Sequence, residues 1–209
     1  MRFLVIYQLW LIVLLNREAR LMDVSVPTRE NAFTLLCEFN QNESLIRHAL
    51  AVEAVMRHMA RRFGEDEDLW GLIGLIHDLD YERYPEQHCM KTKEILEDRG
   101  WPEECIRAVL SHGWMICTEV EPRSLLEKTL FTFDELTGLV TAAALVRPSR
   151  SLRDLGVKSV KKKWKQSGFA AGVDRSIIER GAVMLNMELG DVIQHAIDGM
   201  RGVADELGL

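Results

Sequence analysis

The sequence predicts an all-α protein, and three observations carry that prediction. From Asn42 onward, apolar residues recur at three- and four-residue spacing through one helix length after another. Alternating runs of Val, Ile and Thr, the mark of strands, are few. Helix punctuation falls between the periodic stretches, with Asn42 or Ser44, Pro102 and Asp174 where helices should start and Gly64, Gly100 and Gly113 where they should stop.

In chain order, Phe3 to Leu15 (FLVIYQLWLIVLL) is a mostly apolar run of 13 residues, short of the roughly 20 that a bilayer-crossing helix needs. Asn16-Arg17-Glu18-Ala19-Arg20 follows where a secretory cleavage site would carry small residues. Residues 1–21 are expected to be an apolar leader outside the fold, non-native or mis-assigned, with a membrane-surface anchor as the other reading. The remainder, 22–209, is long enough for one domain with a full core. It is expected to divide into a core over 42–146 and a basic segment with C-terminal helices over 147–209.

About seven helices are expected. The first runs from Asn42 or Ser44 to Gly64 with Leu45, Val52, Val55, Met56, Met59 and Phe63 as its apolar stripe. The second is the stretch Leu69-Trp70-Gly71-Leu72-Ile73-Gly74-Leu75-Ile76, apolar on every side and hence buried, ending on His77-Asp78. Pro85 breaks the chain before a third helix over Glu86 to Asp98. Pro102 opens a fourth, which ends at Gly113. A fifth, Ser124 to Val146, carries Thr137, Gly138, Thr141, Ala142, Ala143 and Ala144, small residues that permit close packing. Asp174 caps a sixth, and Glu188 to Leu207 is a seventh.

A net charge of -6 and a hydrophobic content of 47% place the chain among soluble globular proteins and exclude a disordered or broadly cationic, nucleic-acid-binding one. The four cysteines, Cys37, Cys89, Cys105 and Cys117, include no CxxC pair, so they read as reduced thiols of a cytoplasmic protein. Between Arg147 and Lys165 the local charge is +7, which leaves -13 for the rest. Such a run is either a solvated face or an interaction surface.

Chemistry gathers on the inward faces. A histidine and a carboxylate side by side at the end of a buried helix are costly to desolvate, and a bound cation satisfies both. His48 lies on the apolar stripe of the first helix, three residues after Leu45 and four before Val52. By the same spacing His88 falls on the inward face of the third helix, His112 on that of the fourth and Asp134 on that of the fifth. His58 and His195 fall off these faces and receive no role. Ionisable groups converging from separate helices point to a metal site.

In order and spacing, His48, His77-Asp78 and Asp134 match the H…HD…D signature of the HD-domain superfamily of metal-dependent phosphohydrolases, which the chain resembles over about Asn42 to Val146. Its continuation is similar to small bacterial HDIG-type proteins. With His88 and His112 between, the pattern resembles the six-ligand branch that holds two metals. The resemblance implies an all-α HD-domain bundle in which His48, His77, Asp78 and Asp134 bind one ion. Asp78 would bridge to a second ion held by His88 and His112. Many relatives read HDIGK where this chain has His77-Asp78-Leu79-Asp80-Tyr81, so the family's glycine and lysine are missing here.

Imidazole and carboxylate donors suit Fe, Mn, Co, Ni or Zn without choosing among them. Two such ions, bridged by Asp78 and a hydroxide, can generate a nucleophile and neutralise charge on a phosphoryl group. The expected function is therefore hydrolysis of a phosphate monoester or nucleotide, with Asp78 and His77 as catalytic residues. The alternatives are a di-iron oxygenase of the same branch and a non-catalytic nucleotide-binding module. A small phosphorylated substrate is the expected partner, with no nucleic acid and no stable membrane span. Lys158, Lys161, Lys162 and Lys165 share one helical face, with Lys163 off it, and Lys158, Lys161 and Lys162 are expected to bind substrate in place of the missing lysine.

Overall fold

A computed structural model describes residues 26–209, so the expectation of a leader over residues 1–21 lies outside the described residues. Among the described residues there is no strand, only an isolated bridge between Trp114 and Thr118, and the class is all-α. Ten α-helices are present among the described residues: α1 Arg29–Phe39, α2 Glu43–Phe63, α3 Glu67–Ile76, α4 Met90–Asp98, α5 Glu103–Leu110, α6 Leu125–Leu145, α7 Val157–Trp164, α8 Arg175–Met184, α9 Leu189–Arg201 and α10 Ala204–Leu207. No helix among the described residues is long and apolar enough to cross a membrane.

The hub is α2, against which α3, α6, α9 and α10 pack. Its start is set by Asn42, whose side chain accepts from the Ser44 N–H at 2.9 Å, and its end by Gly64 at φ 74°. Val52, Val55, Met56 and Met59 are wholly buried, whereas Leu45 and Phe63, at the ends of the stripe, are only half-buried. At about 1.5–3 kcal/mol for each buried side chain, these four outweigh the few tenths of a kcal/mol from the exposed Arg47–Glu43 pair on the same helix. Packing, rather than surface charge, fixes how α2 is rotated and hence where His48 points.

Two glycines let backbones approach this hub. A Cβ on Gly74 would stand 3.1 Å from the Glu53 Cα and the Val52 carbonyl oxygen, and one on Gly199 would stand 2.8 Å from the Val55 Cα. Helices α3 and α9 therefore lie closer to α2 than side chains at those positions would allow. One hydrophobic cluster extends from Ala32 to Leu207, so the 42–146 and 147–209 parts share a core.

The elements differ from expectation at five places, one of them α7, which carries the expected lysine face but stands outside the seven helices counted from the sequence. Helix α1 was not anticipated, although Thr28 caps it by accepting from the Asn31 N–H and Ala32, Leu35 and Leu36 give it a buried face; Arg29 ties it to α2 through the buried Glu53 carboxylate at 2.6 and 2.8 Å. The expected third helix is split, because Pro85–Gln87 forms a 3-10 turn and Cys89 stands at φ 67°, leaving only Met90–Asp98 helical. The fourth tightens after Leu110 into a 3-10 turn, Ser111–Gly113. The last breaks at Gly202 into α9 and α10.

Candidate metal centre

The close approach at Gly74 carries the end of α3 onto α2, and His77, the first residue past α3, meets His48 with the two Nε2 atoms 3.1 Å apart. The turn that follows is clamped from the α1–α2 loop. Buried Asn40 donates to the Leu79 carbonyl at 2.8 Å, and the Gln41 and Asn42 N–H groups donate to the Glu82 carboxylate at 2.6 and 2.8 Å. This holds Asp78 in place beneath α6, from which Asp134 enters the same cluster. His88 and His112 do not project from helix faces as expected: His88 follows the Pro85–Gln87 turn, and His112 lies within the Ser111–Gly113 turn.

The six residues form two donor sets that share Asp78. In the first, the Asp134 Oδ1 stands 3.0 Å from the His48 Nε2 and 3.2 Å from the His77 Nε2, while the Asp78 Oδ2 stands 3.5 and 3.4 Å from the same two nitrogens. In the second, the Asp78 Oδ1 stands 3.5 Å from the His88 Nε2 and 3.4 Å from the His112 Nε2, and those two nitrogens are 3.1 Å apart. Donors about 2.1 Å from a common ion stand about 3.0 Å apart at a right angle and about 3.4 Å apart at the tetrahedral angle. Each set therefore has the spacing of atoms that could share a metal ion.

The second ring nitrogens explain which atoms are free to do so. His77 Nδ1 faces the Gly74 carbonyl at 2.8 Å, and His112 Nδ1 faces that of Val109 at 2.5 Å. His88 Nδ1 faces the Asp80 Oδ1 at 2.7 Å, and His48 Nδ1 faces the Thr137 Oγ1 at 3.3 Å. A carbonyl or carboxylate accepts but never donates, so Nδ1 carries the proton in the first three and leaves the Nε2 lone pair unprotonated in a neutral ring. Paired Nε2 lone pairs at 3.1 Å cannot satisfy one another. A cation between them can, and this chemistry of the donor set is why the residues fit a metal.

The electrostatics bear on the same nitrogens, for which protons and a metal ion compete. Burial pushes His48 down, but hydrogen bonds to Asp134 and Asp78 overcome it and raise the group to about 9. His77 rises well above its ordinary value by the same contest, with Asp78 and Asp134 outweighing burial. Burial would raise both carboxyl groups, yet His77 and the other imidazoles hold Asp78 and Asp134 well below the usual carboxylate range. Fixed negative charge is thus concentrated where the donors converge.

Asp80 is the participant that sequence reasoning missed. It is wholly buried and accepts from His88 Nδ1 and, at 2.8 Å, from the Thr92 N–H at the start of α4. Glu135, beside Asp134, is also notable, pushed up to about 7 by burial and by the Asp134 charge. His58 and His195 face each other at 3.0 Å, apart from the two donor sets. Lys158, Lys161 and Lys162 lie exposed on α7, and none of them hydrogen-bonds or ion-pairs with the cluster. Lys161 reaches α9, its Nζ lying 2.9 Å from where a Cβ on Gly190 would stand, and Lys163 covers the Phe169 ring at 4.8 Å. A cavity of about 270 Å³ opens against His48, lined among others by Ser44, Arg47, Gly138, Thr141 and Leu209.

Comparison with curated proteins and with solved structures found no match. Residues 45–139 match the family model described as HD domain. That matched segment contains all six members of the cluster, from His48 to Asp134, on an all-α fold.

Proposed function

We propose that the protein is a metal-dependent phosphohydrolase acting on a phosphate monoester or nucleotide, with two divalent transition-metal ions held at the cluster. One observation carries the reading: the two oxygens of Asp78 face separate pairs of imidazole Nε2 atoms, each at 3.4–3.5 Å. His48, His77, Asp78 and Asp134 would hold one ion, and Asp78, His88 and His112 the other. Ions there supply an activated water and positive charge against the phosphoryl oxygens.

The chain's own residues do the positioning. Asp78 ties the two sets into one unit, and the Nδ1 contacts of His77, His88 and His112 keep their Nε2 atoms pointed inward without reorganisation. The organic part of the substrate would occupy the cavity beside His48, where Arg47 and Ser44 offer a cation and a hydroxyl. Lys158, Lys161 and Lys162 are proposed to contribute attraction for an anionic substrate from α7.

The test is direct. The full chain, stripped by chelator and reloaded with Mn, Fe, Co, Ni or Zn, is screened against nucleotides and phosphate monoesters for phosphate release. Turnover that depends on the added metal is expected, and Asp78→Ala should lose bound metal and turnover together. No turnover with any ion, or an Asp78→Ala protein that keeps both, would overturn the proposal.

A further inference from the structure

Behind the second donor set stand two sulfur atoms that the proposed function does not use. Cys89, directly after His88, is wholly buried, and its φ of 67° places it in the left-handed region that residues with a Cβ seldom adopt. Cys117 is exposed, in the turn after Ser111–Gly113, with its N–H bonded to the Gly113 carbonyl at 2.8 Å. The two Sγ atoms are 3.2 Å apart. The space for them depends on Gly113, because a Cβ there would stand 2.5 Å from the Cys117 Sγ and 2.8 Å from the Cys89 Sγ. On the other side, the Cys89 Sγ lies 3.9 Å from the His112 Nε2.

Core packing does not account for this arrangement. Cys105 is buried and Cys37 half-buried, each on a regular helix and with no second thiol beside it, which is how cysteines behave as small apolar residues. Cys89 and Cys117 instead combine backbone strain, a glycine floor and one exposed cysteine. Strain of this kind persists where surrounding structure enforces it, and it gathers at functional positions. A disulfide needs the sulfurs at about 2.05 Å, an approach of about 1.2 Å, and Cys117 sits on an exposed turn that can supply it.

We propose that Cys89 and Cys117 are a reversible modification site, a dithiol that hydroperoxides convert to a disulfide. The Cys117 thiolate attacks the peroxide O–O bond, giving a sulfenic acid and releasing water or an alcohol. The Cys89 sulfur then displaces water from that sulfenic acid, forming the S–S bond. Two thiols are oxidised and one peroxide is reduced. The cross-link joins the residue after His88 to the segment just past His112, and so fixes the spacing between the two imidazoles of the second set. That last consequence rests on the proposed metal function, whereas the oxidation does not.

The experiment treats the metal-loaded full chain with one equivalent of hydrogen peroxide, alongside Cys117→Ser and Cys105→Ser. Expected are a mass loss of about 2 Da, a Cys89–Cys117 linked peptide after digestion, reversal by dithiothreitol and no such link in Cys117→Ser. Cys105→Ser should oxidise like the wild type. Oxidation should also slow release of one of the two ions to a chelator several-fold. Cys117 carried on to sulfinic acid, equal reaction of Cys37 and Cys105, or unchanged thiols would overturn the proposal. A linked peptide in a protein that binds no second ion would leave the modification site standing and refute the metal reading of His88 and His112.

Discussion

Asp80→Asn probes how the second donor set is held. Asp80 is wholly buried, and its two oxygens take one donor each, the His88 Nδ1 at 2.7 Å and the Thr92 N–H at 2.8 Å. Asparagine of the same shape keeps one acceptor oxygen and turns an amide NH₂ toward the other donor. One of the two therefore loses its partner, at about 1–3 kcal/mol for a buried group. The Thr92 N–H is fixed by the first turn of α4, whereas the His88 ring can move its proton to Nε2, and so the loss should fall on His88. A proton on Nε2 removes that atom as a metal donor. Changes to such supporting contacts typically cost 10–100-fold in metal affinity, or about 1.4–2.8 kcal/mol. Competition against a chromophoric chelator should then show the weaker of two binding steps reduced by that factor, with the His48–His77–Asp134 step unchanged. A lowered melting temperature with both steps intact would mean that Asp80 only caps α4, and the account of His88 would be wrong.

Two further predictions use other parts of the molecule. Arg47→Ala should raise the Michaelis constant for a phosphorylated substrate no more than about fivefold, because Arg47 is exposed and already pairs with Glu43 at 3.0 Å, which limits such a contact to about 1 kcal/mol or less. Lys158→Ala and Lys162→Ala, on the exposed face of α7, should raise it less and lose their effect in high salt; a larger, salt-resistant effect from the lysines would move the substrate toward α7. Burial pushes both His58 and His195 down, so in the folded protein both take up a proton only at lower pH than free histidine does. A depressed histidine adds stability that is present above its unfolded value of about 6.5 and is lost as pH falls toward the folded value. The melting-temperature advantage of wild type over His58→Gln/His195→Gln should therefore shrink from pH 7.5 to pH 5, and an advantage independent of pH would refute the assignment.

Helix periodicity made much of the site legible, because a 3.6-residue repeat specifies faces. His48 lies on a long amphipathic helix and Asp134 on a long, largely buried one, and both point where their apolar neighbours point. His88 and His112 do reach the cluster, but from 3-10 turns, since spacing does not reveal that Cys89 adopts a positive φ or that the chain tightens after Leu110. The role of Asp80 depends on how a turn is clamped through Asn40 and Glu82, by three hydrogen bonds that cross about forty positions and have no local signature. The lysine face on α7 was readable as a face, with Lys163 off it on Phe169. Where that face sits relative to the cluster follows from how α7 packs on α6 and α9, which no local pattern encodes. The signal for α1 was present in Thr28 and in the spacing of Ala32, Leu35 and Leu36.

The departures from the HDIGK pattern take on a different meaning once the geometry is seen. Read from the sequence, Asp80 and Tyr81 in place of glycine and lysine are losses, since the lysine is associated with phosphate chemistry. In the fold both substituents meet the same ring: Asp80 receives the His88 Nδ1 proton, and Tyr81 stands edge-on to His88 with the ring centroids 5.1 Å apart. A glycine at position 80 could not accept that proton, and the His88 tautomer would then be set by water. A lysine at position 81 would set a positive charge close to a ring that we propose ligates a cation. The two replacements together orient one imidazole and keep its Nε2 lone pair facing Asp78, so they serve the second donor set rather than weaken it. Positive charge for the proposed anionic substrate must then come from elsewhere, and Arg47, which lines the cavity against His48 and pairs with the exposed Glu43, is one candidate beside the lysines of α7.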